Sequence, residues 1–243
     1  MKRILVTGAT SGIGRATALR LSGPDTEMIV TGRRADRLEA LKKEIEAKGA
    51  LCKTLVFDVR SEAECKEFLE PLGRVDVLIN NAQASASGVT LADHTTAQFD
   101  LAIYSGLYAT FHYMKECYPY LAQSKGSVIN FASGAGLFGN FGQSAYAAAK
   151  EGIRGMSRTA ATEWGKDGIN VNVVCPLAWT AQLENWSNAY PDAFKANVKM
   201  PPMGHYGDVE LEIGRACVAL ASPDLKYMSG ETITLEGGMG LRP

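Results

Sequence analysis

Tyr146 and Lys150 stand four residues apart in Tyr-Ala-Ala-Ala-Lys, a spacing that places a phenol and an ammonium on one face of a helix. Such a pair can handle a proton. A phenol titrates near about 10 in water, and a neighbouring cation lowers that value, so Tyr146 is expected to serve as acid and base with Lys150 tuning it. Lys150 would also reach the hydroxyls of a bound ribose. Tyrosine and lysine at this spacing also occur on solvated helices, so the meaning of the pair depends on its company. Ser133 follows the β-branched run Ser127 to Phe131 and precedes Gly134-Ala135-Gly136. It therefore stands at a strand's carboxyl end, where open α/β sheets bind ligands, or is a plain turn serine.

Thr7-Gly8-Ala9-Thr10-Ser11-Gly12-Ile13-Gly14 follows one strand-like run and opens a helix-like one, the context in which a glycine pattern reads as a phosphate site. Glycines bring backbone N–H groups close to a pyrophosphate, and the positive end of the helix dipole favours the anion. The hydroxyls of Thr10 and Ser11 add donors. The second strand ends Thr31-Gly32-Arg33-Arg34, with no carboxylate to take a ribose 2'-OH. A guanidinium at Arg33, with Arg34 beside it, suits a 2'-phosphate, so NADP(H) is the expected cofactor. Asp58, followed by Val59, ends the third run and either meets the adenine edge or caps the helix that begins near Ser61.

These groups need a scaffold that alternates strand and helix. Runs at Arg3 to Val6, Glu27 to Thr31, Leu55 to Asp58, Val75 to Asn80, Ser127 to Phe131, Ile169 to Val174 and Thr232 to Leu235 are strand-length and alternate with amphipathic stretches. The pattern predicts a doubly wound parallel sheet of about seven strands with helices on both faces, the Rossmann arrangement. Leu38, Leu41 and Ile45 mark one helix stripe ahead of Gly49. Longer helices are expected over Thr96 to Ser124, kinked at Pro119, and over Gln143 to Lys166, with faces suited to a second subunit of a homodimer or homotetramer. Leu177 to Gly207 reads as one long irregular loop, of the kind that often closes over a site.

At 243 residues one domain spanning residues 1–243 is the prior. A net charge of -1 and no block of like charge predict a small-molecule partner in place of nucleic acid or a membrane surface. Five scattered cysteines signal neither a disulfide framework nor a zinc site, and with a strand starting almost at residue 1 they predict a cytoplasmic protein without metal.

Taken together, the motifs resemble the short-chain dehydrogenase/reductase family over essentially the whole chain. The glycine turn, Asn80-Asn81-Ala82, Ser133, Tyr146 with Lys150, Pro176 with Thr180, and Leu235-Glu236-Gly237-Gly238 follow that family's order and spacing. The resemblance implies that Ser133 hydrogen-bonds a substrate carbonyl or hydroxyl, Tyr146 transfers the proton, and Lys150 tunes it. It also implies that Asn80 and Ala82 line the adenosine side of the cofactor, while Pro176 to Thr180 cradle the nicotinamide end.

Three positions depart from the pattern: Gln83 and Leu177 stand where the family has glycine, and Gly106 where it has a catalytic asparagine. A gap beside Lys150 is therefore expected at Gly106, filled either by water that Tyr104, Ser105 or Tyr108 would hold or by solvent that reaches the lysine directly. Around the site, Trp179, Trp186, Tyr190, Phe194 and Tyr206, with Leu137, Phe138 and Phe141, form either a pocket for an apolar or aromatic ketone or ordinary core and subunit packing. His205, alone in that segment, is given no role. The expected function is NADP(H)-dependent hydride transfer to a carbonyl or from a secondary alcohol. The alternatives are a catalytically impaired NADP(H)-binding regulatory protein and a non-redox enzyme on the same scaffold.

Overall fold

The computed structural model describes residues 1–189 and 191–240. Its strands are β1 (Lys2–Val6), β2 (Thr26–Gly32), β3 (Leu51–Val56), β4 (Val77–Asn80), β5 (Ser127–Phe131), β6 (Asn170–Pro176) and β7 (Thr232–Leu235). They form one sheet in the order β3-β2-β1-β4-β5-β6-β7, and every pairing is parallel. Side chains alternate across the pleat. Ile4, Val6, Met28, Val30 and Ile79 are buried in one apolar layer, and Leu5, Ile29, Leu78, Val128 and Val171 in the other. Both faces are thus covered, as a parallel sheet requires.

On the first face lie α1 (Gly12–Leu21), α2 (Ala35–Ala47) and α10 (Arg215–Leu220). On the second lie α3 (Glu62–Leu69), α5 (Ala109–Ser124) and α7 (Ser144–Trp164). Shorter helices α4 (Thr96–Ala102), α6 (Gly134–Phe138), α8 (Ala181–Ala189) and α9 (Pro191–Asn197) shape the carboxyl edge of the sheet. No described helix is long and apolar enough to cross a membrane.

Three local expectations need correction. β3 begins at Leu51 and not Leu55; it is an edge strand, half exposed, so the polar Lys53 and Thr54 belong to it without an apolar run to announce them. The segment Leu177 to Gly207 is not one irregular loop: Thr180 Oγ1 accepts from the Leu183 N–H at 3.2 Å and starts α8, and Pro191 occupies the first position of α9, where its missing N–H costs nothing. The single helix expected over Thr96 to Ser124 is divided by a π-helical turn at Ile103–Tyr108, and Pro119 lies inside α5.

Asn80, expected to line the cofactor, pairs through its side chain with β5. It is 4% exposed and lies opposite Asn130 in the register, donating from Nδ2 to Asn130 Oδ1 at 2.9 Å. Asn130 in turn donates to Ser157 Oγ at 2.8 Å, tying β4 and β5 to the helix that carries Tyr146. Removing a buried partner strands the groups it satisfied. Asn130→Ala should therefore lower unfolding stability by about 2–4 kcal/mol, measured by urea denaturation; a loss below about 0.5 kcal/mol would mean this network carries no stability.

Candidate active site

β1 and β4 are neighbours in the sheet, yet their chains leave in opposite directions, which opens a crevice at their carboxyl ends. A groove of about 730 Å³ lies there, walled by the glycine turn, the ends of β2 and β3, and the loop after β4. Gly8 has φ +64, a left-handed conformation open to glycine. Gly14 is required by a close approach: a Cβ on it would lie 2.3 Å from Asn81 Nδ2 and 2.6 Å from Gly8 O. Asn81 uses that space to donate from Nδ2 to the carbonyls of Thr7 and Gly8 at 3.1 and 3.2 Å. Ser11 caps α1 in position only, its hydroxyl accepting from none of the helix amides, so those first amides remain available to an anion.

The groove's outer rim carries cations. Arg34 Nη2 donates to Thr10 Oγ1 at 2.7 Å and to Ser11 Oγ at 3.2 Å, bracing the two hydroxyls that were expected to bind phosphate. Arg33 also lines the groove and acts electrostatically on Asp58. Arg60, which sequence reasoning passed over, grips Asp58 from Nε and Nη2, the shortest contact being 2.6 Å. That hydrogen-bonded guanidinium holds the Asp58 carboxyl below its ordinary range. Of the two readings for Asp58 the helix cap fails, because Ser61 Oγ accepts from the Glu64 N–H and caps α3 itself. Asp58 and Val59 both line the groove, as do Ile13 and Ala82.

Ser133, Tyr146 and Lys150 come together beyond the end of β5. Ser133 caps α6, its Oγ accepting from the Ala135 N–H at 3.1 Å, and its hydroxyl is near enough to the Tyr146 phenol to draw that group's pKa down. Lys150 Nζ is fully buried, donates to Phe131 O at 2.7 Å, and sits 5.4 Å from the centre of the Tyr146 ring. Burial pushes the Lys150 ammonium down from 10.5 to about 8, because an apolar surrounding disfavours the charge. The expected depression of Tyr146 does not occur here: burial raises the phenol, and the Ser133 hydroxyl opposes it only in part. The ammonium lies over the Tyr146 ring.

Gly106 is not a gap. The Gln83 side chain rests on it, so that a Cβ at 106 would lie 2.0 Å from Gln83 Oε1. Ser105 turns inward, its Oγ 2.6 Å from Leu101 O and 2.9 Å from both the N and O of Ala84; Tyr104 and Tyr108 stack on each other, about half exposed. Gln83 departs from the resemblance at one position and Gly106 at another, and only their contact explains both.

At the far end of the groove stand Thr180 and Ala181. Pro176 closes β6 opposite Leu235, and Leu177 is tied between β7 and Gly207, its N–H donating to Leu235 O at 2.9 Å and its carbonyl accepting from Gly207 at 3.1 Å. Beyond it Trp179 packs edge-on to Phe194 at 6.1 Å and against Tyr206 at 5.7 Å. Leu137 packs into the core with Val173 and Cys175, while Phe138 and Phe141 are 49% and 83% exposed. Tyr190 and the Trp186 side chain lie outside the described residues. His205 bonds Glu212 on the surface at 3.0 Å.

A family model described as short chain dehydrogenase matches residues 2–190. The chain belongs to the short-chain dehydrogenase family. This short-chain dehydrogenase is 59% identical to the 12alpha-hydroxysteroid dehydrogenase of Clostridium sp. (strain ATCC 29733 / VPI C48-50), over 97% of the chain and 95% of the relative. Among solved structures it superposes on an actinorhodin polyketide ketoreductase with NADPH, with a TM-score of 0.89 at 27% identity over 99% and 98% of the two chains. NAD+-bound xylitol dehydrogenase matches with a TM-score of 0.88 at 26% identity over 98% of each. The chain is thus an oxidoreductase on a fold that binds a nicotinamide cofactor, and the groove fits one: the first amides of α1, which no side chain caps, are free for the diphosphate.

The Lys150 shift has a stability consequence. The group titrates near 8 in the folded chain against 10.5 in the open, so the folded state sheds its proton first. The penalty for the buried charge is complete below about pH 8 and is relieved as pH rises toward 10.5. Relative to wild type, cofactor-free Lys150→Met should therefore gain most at pH 7 and lose that gain, about 3 kcal/mol at most, as the solution is made alkaline. Urea unfolding of both proteins at pH 7 and pH 10 checks this, and a difference independent of pH would contradict it.

Proposed function

We propose that this short-chain dehydrogenase is an NADP(H)-dependent hydroxysteroid oxidoreductase, interconverting a ring ketone and its secondary alcohol. The observation that carries the reading is the 59% identity, spread over nearly the full length, to a 12alpha-hydroxysteroid dehydrogenase. Trp179, Phe194 and Tyr206, clustered beyond the groove's inner end, with the exposed ring of Phe138, supply the broad apolar surface that a rigid polycyclic ketone would bury.

When bound, the nicotinamide supplies or accepts the hydride. Gly8 to Gly14 hold the diphosphate through the amides of α1, Asp58, Val59 and Ala82 wall the adenosine end, and Arg33 with Arg34 takes the 2'-phosphate. Pro176 to Thr180 hold the nicotinamide end in place. Ser133 donates to the substrate carbonyl oxygen. Tyr146 delivers its phenolic proton to that oxygen as the hydride reaches carbon, and in the oxidising direction takes it back; its raised pKa keeps it protonated for reduction at neutral pH. Lys150, anchored on Phe131 O, turns its remaining donors to the ribose hydroxyls and to the proton's path.

The cysteines of the described chain are free, and four of the five are buried, which supports a cytoplasmic setting. A cleft of about 410 Å³ between α5 and α7, lined by Phe111, Met114, Tyr118, Met156 and Trp164, supports assembly as a homo-oligomer, a homotetramer in our reading.

The activity is tested by following NADP+ reduction with a 12α-hydroxysteroid beside its 12β epimer and 3α- and 7α-hydroxysteroids. Cofactor binding without turnover across the panel would favour a regulatory role. Arg33→Ala should raise the KM for NADPH at least about 10-fold while changing that for NADH little; equal effects on both would remove Arg33 from the 2'-phosphate. Tyr146→Phe should lower kcat by at least about 100-fold with cofactor Kd nearly unchanged, and near-native turnover would show that another group moves the proton.

A further inference from the structure

The contact between Gln83 and Gly106 holds more than a packing oddity. Gln83 Nε2 donates to Ala84 O at 3.1 Å and to Ala102 O at 3.0 Å, which fixes the amide's orientation: nitrogen on the two carbonyls, oxygen over the bare Cα of Gly106. Ala102 O is the acceptor that an α-helix would assign to the Gly106 N–H. A side-chain amide inserted at that point opens the ladder, and the π-helical turn Ile103–Tyr108 is where it opens. The insertion is possible because residue 106 has no side chain: besides the oxygen at 2.0 Å, a Cβ there would meet Gln83 Cδ at 2.6 Å and Nε2 at 2.7 Å.

The segment that Gln83 pins is the one that α7 packs on. Ala102 lies against Ala145 and Ala149, the neighbours of Tyr146 and Lys150 in sequence, and Leu107 presses so close to Gly152 that a Cβ there would lie 2.7 Å from Leu107 Cδ2. Where Ala102 meets Ala145 and Ala149 the side chains are too short to absorb a shift, so a displacement of the π turn passes to the helix carrying the phenol and the ammonium. Gln83 Oε1 is buried and has no partner among the described residues, while its side chain lines the groove.

We propose that Gln83 is a positioning residue for Tyr146 and Lys150, delivering from the loop after β4 the side-chain amide that residue 106 lacks. The two positions form one interlocked unit: amide on one side, bare glycine on the other. The proposal rests on the roles given to Tyr146 and Lys150 above.

The test uses the full chain and a steroid that the wild type turns over. Gln83→Met keeps the volume and removes the amide; it should lower kcat about 10- to 100-fold while KM and the cofactor Kd stay within about 3-fold of wild type. Gly106→Asn alone must expel the Gln83 amide from its two carbonyls, and should lower both kcat and Tm, the latter by about 5 °C. The exchange variant Gln83→Gly/Gly106→Asn returns one amide to one space and should recover Tm and bring kcat back to within about 5-fold of wild type. Wild-type kcat in Gln83→Met would overturn the proposal. So would an exchange variant that recovers Tm but not kcat, since packing alone would then explain the contact. If Gln83→Met does not fold, the exchange variant decides by itself. Unchanged kcat in Tyr146→Phe would instead refute the assignment beneath the proposal, separating the two failures.

Discussion

The site depends first on how β1 and β4 are joined at their carboxyl ends. Thr7 Oγ1 accepts from the backbone N–H of both Asn81 and Ala82 at 3.0 Å, while Asn81 Nδ2 returns two bonds to Thr7 O and Gly8 O. Backbone groups leaving two diverging strands would otherwise be buried without partners, at a cost of about 1–3 kcal/mol each. The stitch satisfies them and holds the crevice open at one width. The glycine turn is then fixed on one side and the loop carrying Gln83 on the other, so the dinucleotide groove and the packing of α7 share one anchor.

Charge burial is the second constraint. Lys150 sits in surroundings that push its ammonium down to about 8, and Phe131 O is the acceptor that makes this tolerable. Tyr146 is pushed the other way by the same burial. One apolar enclosure thus moves both groups toward their neutral forms. A protonated phenol beside a readily deprotonated amine is an arrangement suited to proton transfer. The arginine rim at the opposite end is exposed and solvated by contrast, where cations cost little to keep charged.

The sheet, its order of strand and helix, and the glycine turn were legible in the sequence, because apolar periodicity and glycine placement respond to local geometry that any chain must obey. Tyr146, Lys150 and Ser133 were legible too, through spacing and position relative to strands. Less visible were features set by what lies across the fold. The pairing of Asn80 with Asn130 across β4 and β5 is one such feature, and the grip of Arg60 on Asp58 another. The adjacency in Asn80-Asn81 offered a clue that period-2 alternation turns the two side chains to opposite sides.

By itself the sequence determined the fold class, the family and the place of the glycine turn, and it singled out the trio proposed to handle the proton, all of which follow from local pattern and order along the chain. Tertiary structure alone decided that Gln83 and Gly106 meet, that Lys150 lies over the Tyr146 ring, and that the segment after β6 folds into α8 and α9. Those outcomes depend on which surfaces come within a few ångströms of each other, on which backbone carbonyl is left without a partner, and on how much water is excluded. Residues 23 positions apart in the chain carry no mark of sharing one space until the sheet has brought them together.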